Sequence, residues 1–158
     1  MKKIFLILMF LFTGLLAGKI TIATNDSDFF EIIFQVEQNY NKYKELFLSK
    51  DITQETVIAQ IKKESNFDKY TVSYKNAIGL MQILPSTARI YNKNIDIYDL
   101  FNINTNIEIG IEHLAWLCKK YTTKKEILQR YFWGNKKQLT ENYFRSITDL
   151  ENKIKKGE

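Results

Sequence analysis

The chain is poor in the residues that carry most metal, redox and nucleophile chemistry. Its 158 residues include one cysteine, Cys118, one histidine, His113, and one proline, Pro85. A lone cysteine excludes a disulfide within the chain and a cysteine-based metal cluster. A lone histidine argues against a zinc site or a Ser-His-Asp arrangement. Cys118 lies in an apolar helical stretch, where it reads as a small buried hydrophobe. No metal and no cofactor is called for. Six glycines leave little room for linkers, and the dipeptides that build tight hairpins are missing, so no strand pair is expected. No internal repeat or low-complexity segment is present. The longest uncharged stretch, Ile4 to Gly18, spans roughly 22 Å as a helix, short of a hydrocarbon core of ~30 Å.

What is present is a globular composition. Hydrophobic residues make up 45% and charged residues 26%, with 11 Phe, 9 Tyr and 2 Trp. The length fits one domain able to bury its own core. The net charge is +5, of which Lys2 and Lys3 supply two. A mildly basic surface suits an anionic polymer, whether bacterial cell wall, nucleic acid or anionic lipid, and does not choose among them. Residues 1–18 have the pattern of a secretory signal. Lys2 and Lys3 form the positive end, Ile4 to Phe12 is apolar, and Leu15-Leu16-Ala17-Gly18 offers a cleavage site after Ala17 or Gly18. A lipoprotein box would need Cys at position 19, where Lys19 stands. The chain is therefore expected outside the cytoplasmic membrane, in the periplasm or cell envelope. It would meet the membrane only through an uncleaved signal. Residues 19–158 form the expected domain.

Apolar residues recur at helical spacing almost throughout the remainder. Phe29, Phe30, Ile32, Ile33, Val36, Tyr40, Tyr43 and Phe47 fit one broad face, with Asp28 and Glu31 as a capping box at its start. A second helix begins near Thr53, carries Val57, Ile58 and Ile61 inward, and brings Glu64 into its last turn. Pro85 suits the first turn of a short helix ending at Tyr91. A longer helix is predicted from about Thr105 to Tyr121. Another is capped by Thr123 and Glu126 and ends at Gly134. The last runs from about Thr140 to Lys155, with Tyr143, Phe144, Ile147, Leu150 and Ile154 facing inward. The predicted class is all-α, a compact domain of about six to eight helices with little or no β.

The chemistry concentrates between Ile61 and Tyr91. Glu64 ends an apolar helix and is followed at once by Ser65, Asn66 and Phe67. Gly79 interrupts an apolar run, and Gln82 sits within it. Polar groups in apolar surroundings need partners or a function that repays their burial. A carboxyl at the rim of an apolar cleft has its pKa raised and can act as a general acid.

Glu64-Ser65-Asn66-Phe67 resembles the E-S-x-F of soluble lytic transglycosylases, the SLT-type branch of the lysozyme-like fold. Ser73 matches the serine nine residues on. Ala77 to Gln82 matches A-x-G-L-M-Q, and Pro85 to Ala88 matches P-x-T-A. Asn106-Ile107 with Gly110 resembles N-I-x-x-G, and Tyr131 with Gly134 resembles Y-N-x-G. The similarity runs from about Thr53 to Ile147. Two positions depart from the pattern: Asn76 stands where Gly is common, and Phe132 replaces the Asn of Y-N-x-G.

The resemblance implies a peptidoglycan glycan strand as substrate, with Glu64 as the single acid/base. Glu64 would protonate the bond between N-acetylmuramic acid and N-acetylglucosamine, then take a proton from the muramoyl C6 hydroxyl as a 1,6-anhydro ring closes. It further implies that the Tyr131 hydroxyl approaches and orients Glu64, and that Ser73 and Gln82 line the cleft. Met81 would form an apolar wall, and Gly79 would let the backbone come close. Asp68, Asp96 and Asp99 read as turn or cap residues. Tyr74, Tyr91, Trp116 and Trp133 are aromatic side chains able to stack on sugars, although helical spacing favours core. Small enzymes of this kind also open the wall for secretion, pilus or flagellar assemblies. Nucleic acid is not an expected partner. The rival expectations are a hydrolytic muramidase on the same fold and a wall-binding component without catalysis.

Overall fold

The computed structural model describes residues 26–134 and 141–158. The segment read as an export signal, residues 1–18, lies outside them. Among the described residues are seven α-helices, a short 3₁₀ turn and no sheet, which places the chain in the all-α class. In chain order these are α1 (Asp26–Asn41), α2 (Lys44–Leu48), α3 (Gln54–Ser65), α4 (Pro85–Tyr91), the 3₁₀ turn Ile97–Phe101, α5 (Ile103–Lys120), α6 (Lys124–Trp133) and α7 (Glu141–Lys156). None of them is long and apolar enough to cross a membrane.

The centre of the domain is α5. Ile103, Ile107, Ile109, Ile111, Leu114, Leu117 and Cys118 are all buried, so the helix is apolar on most of its circumference. A helix of that kind must be surrounded. The chain wraps it with α1, α2, the 3₁₀ turn and α6, while α3 pairs with α7. Asn102 caps α5, its side chain accepting from Thr105 N at 3.1 Å, and the helix therefore starts two residues before the expected Thr105.

Two expectations for the first helix need correction. The apolar face from Phe29 to Phe47 is divided, because the chain turns tightly at Lys42 and Tyr43. The break lets Phe47 stack on Tyr40 at 5.2 Å, while the Tyr40 hydroxyl donates to Ile52 O at 2.9 Å. Apolar periodicity reports a shared buried face and is blind to a turn that preserves it. Asp28 also lies inside α1, which is already helical at Asp26, and forms an ion pair with Lys69 at 2.9 Å in place of a cap.

The other ends follow local chemistry. Thr53 caps α3 in a reciprocal box with Thr56. Pro85 opens α4, where its missing N–H costs nothing. Asp96 and Asp99 form the reciprocal box of the 3₁₀ turn, and Asp68 accepts from Tyr70 N and Thr71 Oγ1, so all three acids are turn or cap residues.

One buried charge joins three helices. Glu151 of α7 accepts from Lys124 at 2.7 Å and from Lys155 at 2.6 Å, and Thr53 at the head of α3 reaches it at 3.4 Å. Burial alone would raise the Glu151 pKa, but the two lysines outweigh it and hold the carboxyl below its ordinary range. Removing one member of a buried pair leaves an uncompensated charge. Glu151→Gln is expected to lower stability by about 3 kcal/mol at neutral pH. Because the folded pKa is depressed, this stabilisation is present above about 4.5 and is lost as pH falls through the folded value. Urea unfolding of both proteins over a series from pH 7 downward checks this: the gap should narrow as the pH falls below about 4.5.

Candidate active site

Glu64 occupies the penultimate position of α3, and the chain reverses immediately after it. Ser65 returns its hydroxyl to Ile61 O at 3.1 Å. Asn66 (φ +51°) and Phe67 (φ +65°) are both left-handed, a conformation few side chains adopt. Burial of the Phe67 ring edge-on against Phe29, at 5.5 Å between centroids, holds the reversal in place. Along the Glu-Ser-Asn-Phe stretch, then, Glu64 supplies the acid, Ser65 closes the helix, Asn66 reverses the chain and Phe67 anchors it.

The loop from Asp68 to Leu84 folds on itself. Ser73 Oγ accepts from Lys75 N and Ala77 N, and Asn76 has φ +60°, which Asn tolerates where glycine is common. Ile78 and Ile83 exchange two backbone hydrogen bonds of 3.0 Å. Gln82, at φ +49°, donates its side-chain amide to Thr71 O at 3.1 Å and Gly79 O at 3.0 Å. Its N–H groups are thereby committed to the loop's own backbone.

This loop is fastened to α5 by Asn106. The buried amide donates to Ile78 O at 2.9 Å and Leu100 O at 2.7 Å, and accepts from Met81 N at 2.8 Å. Two glycines make the contact close. A Cβ on Gly79 would lie 2.3 Å from Asn106 Nδ2 and 2.5 Å from Leu100 O, and Gly79 has φ +76°. A Cβ on Gly110 would lie 2.3 Å from Met81 Sδ. Met81 is accordingly a core side chain with no exposed surface, so it is not an apolar cleft wall. It is drawn inward because its own N–H is bonded to Asn106. The apolar side chains that this loop exposes are Tyr70, Val72, Tyr74 and Leu84.

The hydroxyl that holds the acid is not the expected one. Tyr143 of α7 donates to Glu64 Oε1 at 2.5 Å. Tyr131 of α6, expected to orient Glu64, donates instead to Met81 O at 3.0 Å. Burial, and after it the charge of Glu64, holds both phenols far above the usual tyrosine range, so they stay protonated. Tyr143 read in the sequence as one more inward-facing aromatic. The available signal was its hydroxyl, which needs a partner when buried.

Burial pushes the Glu64 pKa up from 4.5 to about 7, against smaller downward effects of the Tyr143 hydrogen bond and Lys63. The carboxyl therefore titrates near neutrality. His113 packs against Tyr131: its Nδ1 lies 2.9 Å from the Tyr91 hydroxyl, and its ring stacks on the half-exposed Trp116 at 5.8 Å. Burial lowers its pKa to about 4, so it is neutral at physiological pH. No cluster of metal-ligating side chains occurs among the described residues.

Fold and site together define a helical domain that presents one protonatable carboxyl at the end of a buried helix. The family model of the Transglycosylase SLT domain matches residues 41–143, a span that contains Glu64, the loop, Asn106, Tyr131 and Tyr143. The chain belongs to that family. It is 34% identical over 99 residues to the membrane-bound lytic murein transglycosylase E of Buchnera aphidicola, covering 58% of this chain and 42% of that protein. It is 36% identical over 77 residues to the membrane-bound lytic murein transglycosylase C of Histophilus somni, covering 44% and 21%. Against the C enzyme of Actinobacillus pleuropneumoniae the figures are 38% over 72 residues, 41% and 20%. The chain thus spans less than half the length of these relatives.

A carboxyl with a raised pKa disfavours folding once it ionises. The contribution of Glu64 to stability should be level below pH 4.5, fall as pH rises towards about 7, and level off again. The displacement from 4.5 to about 7 corresponds to up to about 3 kcal/mol. Glu64→Gln, which cannot ionise but still accepts from Tyr143, is expected to be the more stable protein at pH 8 and equal to the parent at pH 4. Thermal denaturation at the two pH values checks this.

Proposed function

We propose that the chain is a peptidoglycan lytic transglycosylase, cleaving the β-1,4 bond between N-acetylmuramic acid and N-acetylglucosamine with Glu64 as its single acid/base. The observation that carries this reading is a carboxyl poised near neutral pH and gripped by one phenol. A general acid works best with a pKa near the operating pH. Family membership and the names of the relatives support the same reading.

With Tyr143 donating to Oε1, the acidic proton sits on Oε2 and is delivered to the bridging oxygen. The C1–O bond breaks, and the departing sugar carries that proton. The N-acetyl group of the substrate stabilises the developing charge at C1, so no carboxylate nucleophile is required. The Glu64 carboxylate then accepts the C6 hydroxyl proton, the C6 oxygen bonds C1, and a 1,6-anhydro end forms without water. The acids of the neighbouring loops are used in turns, which fits a mechanism with one carboxylate. Tyr131 holds the carbonyl of Met81 and so fixes the loop that faces Glu64, while Ser73 and Gln82 shape that loop and present their remaining polar groups to the N-acetyl sugar. The substrate places the chain in the cell envelope, as the membrane-bound relatives suggest. Local wall opening for a secretion, pilus or flagellar apparatus is one use of the activity.

The test is digestion of purified sacculi. Glu64→Gln is expected to lose at least about a hundredfold in rate, and parental activity is expected to fall as pH rises above about 7. Mass spectrometry of the fragments should find anhydro ends, one water lighter than reducing ends. Reducing ends would identify the hydrolytic muramidase instead. Undiminished digestion by Glu64→Gln would remove Glu64 from the mechanism.

A further inference from the structure

Phe132 follows Tyr131 in the last turn of α6. Its ring stacks on Tyr143 with 4.5 Å between centroids and 18° between planes, and meets Trp133 edge-on at 4.8 Å. Tyr143 is buried, yet Phe132 is 45% exposed. A large apolar ring is therefore kept in solvent directly against the phenol that holds Glu64. The Lys75 ammonium, in the turn after Ser73, lies 5.9 Å from the neighbouring Trp133 ring.

An aromatic ring in such a place suits one kind of ligand. The C–H face of a pyranose is flat and apolar, and it gains dispersion contact on an aromatic face while its hydroxyls stay hydrated at the rim. We propose that Phe132 is a saccharide-stacking platform that carries an N-acetylhexosamine ring of the glycan strand beside Glu64. The inference rests on the glycan-cleaving reading above and adds how the sugar is held. Where the resemblance leads one to expect an asparagine, this chain offers a face rather than a hydrogen bond. Recognition at this position then depends on the ring's shape more than on its hydroxyl pattern.

The experiment uses the full chain carrying Glu64→Gln, so that ligand is bound and not turned over. Tetra-N-acetylchitotetraose is titrated calorimetrically into this protein and into versions that also carry Phe132→Leu or Phe132→Tyr. Leucine keeps an apolar cover over Tyr143 but has no face; tyrosine keeps the face. The expected result is an affinity loss of roughly five- to tenfold with leucine and little change with tyrosine. With Glu64 restored, Phe132→Leu should raise KM for soluble glycan fragments and leave the pH profile in place. Unchanged affinity in Phe132→Leu overturns the proposal, as does failure of the Glu64→Gln protein to bind the probe at millimolar concentration. A moved pH profile with unchanged affinity would make Phe132 a shield for the Tyr143–Glu64 hydrogen bond and also overturn it. Sacculus digestion that ignores Glu64 would instead defeat the underlying glycan-cleaving reading.

Discussion

The buried amide of Asn106 is the contact on which the arrangement of the loop beside α5 depends. It closes three hydrogen bonds to backbone groups from two separate segments. An unsatisfied group in that position would cost about 1–3 kcal/mol, so the loop has little freedom to leave. The two glycines make the arrangement reciprocal. Gly79 of the loop admits the amide, and Gly110 of the helix admits the Met81 side chain. From there the order passes outward. Met81 O is fixed, Tyr131 is fixed on it, and the end of α6 follows with its aromatic residues.

Two carboxyls in this small domain show how surroundings assign roles. Glu151 and Glu64 both lie in apolar neighbourhoods, and burial raises the pKa of each. Glu151 receives two lysine ammoniums and stays charged. Glu64 receives a neutral phenol as its close partner, with Lys63 acting more weakly, and titrates near 7. The first charge holds helices together. The second is kept reactive, at a cost to stability once it ionises.

Much of this was legible in the sequence because it is local. The helix class follows from apolar spacing, and Thr123, Pro85 and Gly134 mark ends by their own chemistry. The Glu64 stretch was legible as a motif, although its left-handed pair at Asn66 and Phe67 was not. What escaped is long-range. Tyr143 meets Glu64 from a helix 79 positions away, and periodicity shows only that it points inward. Met81 was expected as an apolar wall, and its closeness to Gly110, which puts it in the core, cannot be seen in the spacing of the motif. The break between α1 and α2 escaped because both pieces bury the same face.

The ion cluster at Glu151 bears on geometry far from itself. Thr53 heads α3, Lys124 begins α6, and both converge on Glu151 in the second half of α7. Followed along their lengths, the same three helices carry Glu64, Phe132 and Tyr143 at their opposite ends, roughly 12–17 Å away. The three behave as tines set in one handle. Their spacing at the tips is decided where they are joined, so ionic conditions that loosen the joint would be felt as a changed spacing of Glu64, Phe132 and Tyr143, far from any of those charges.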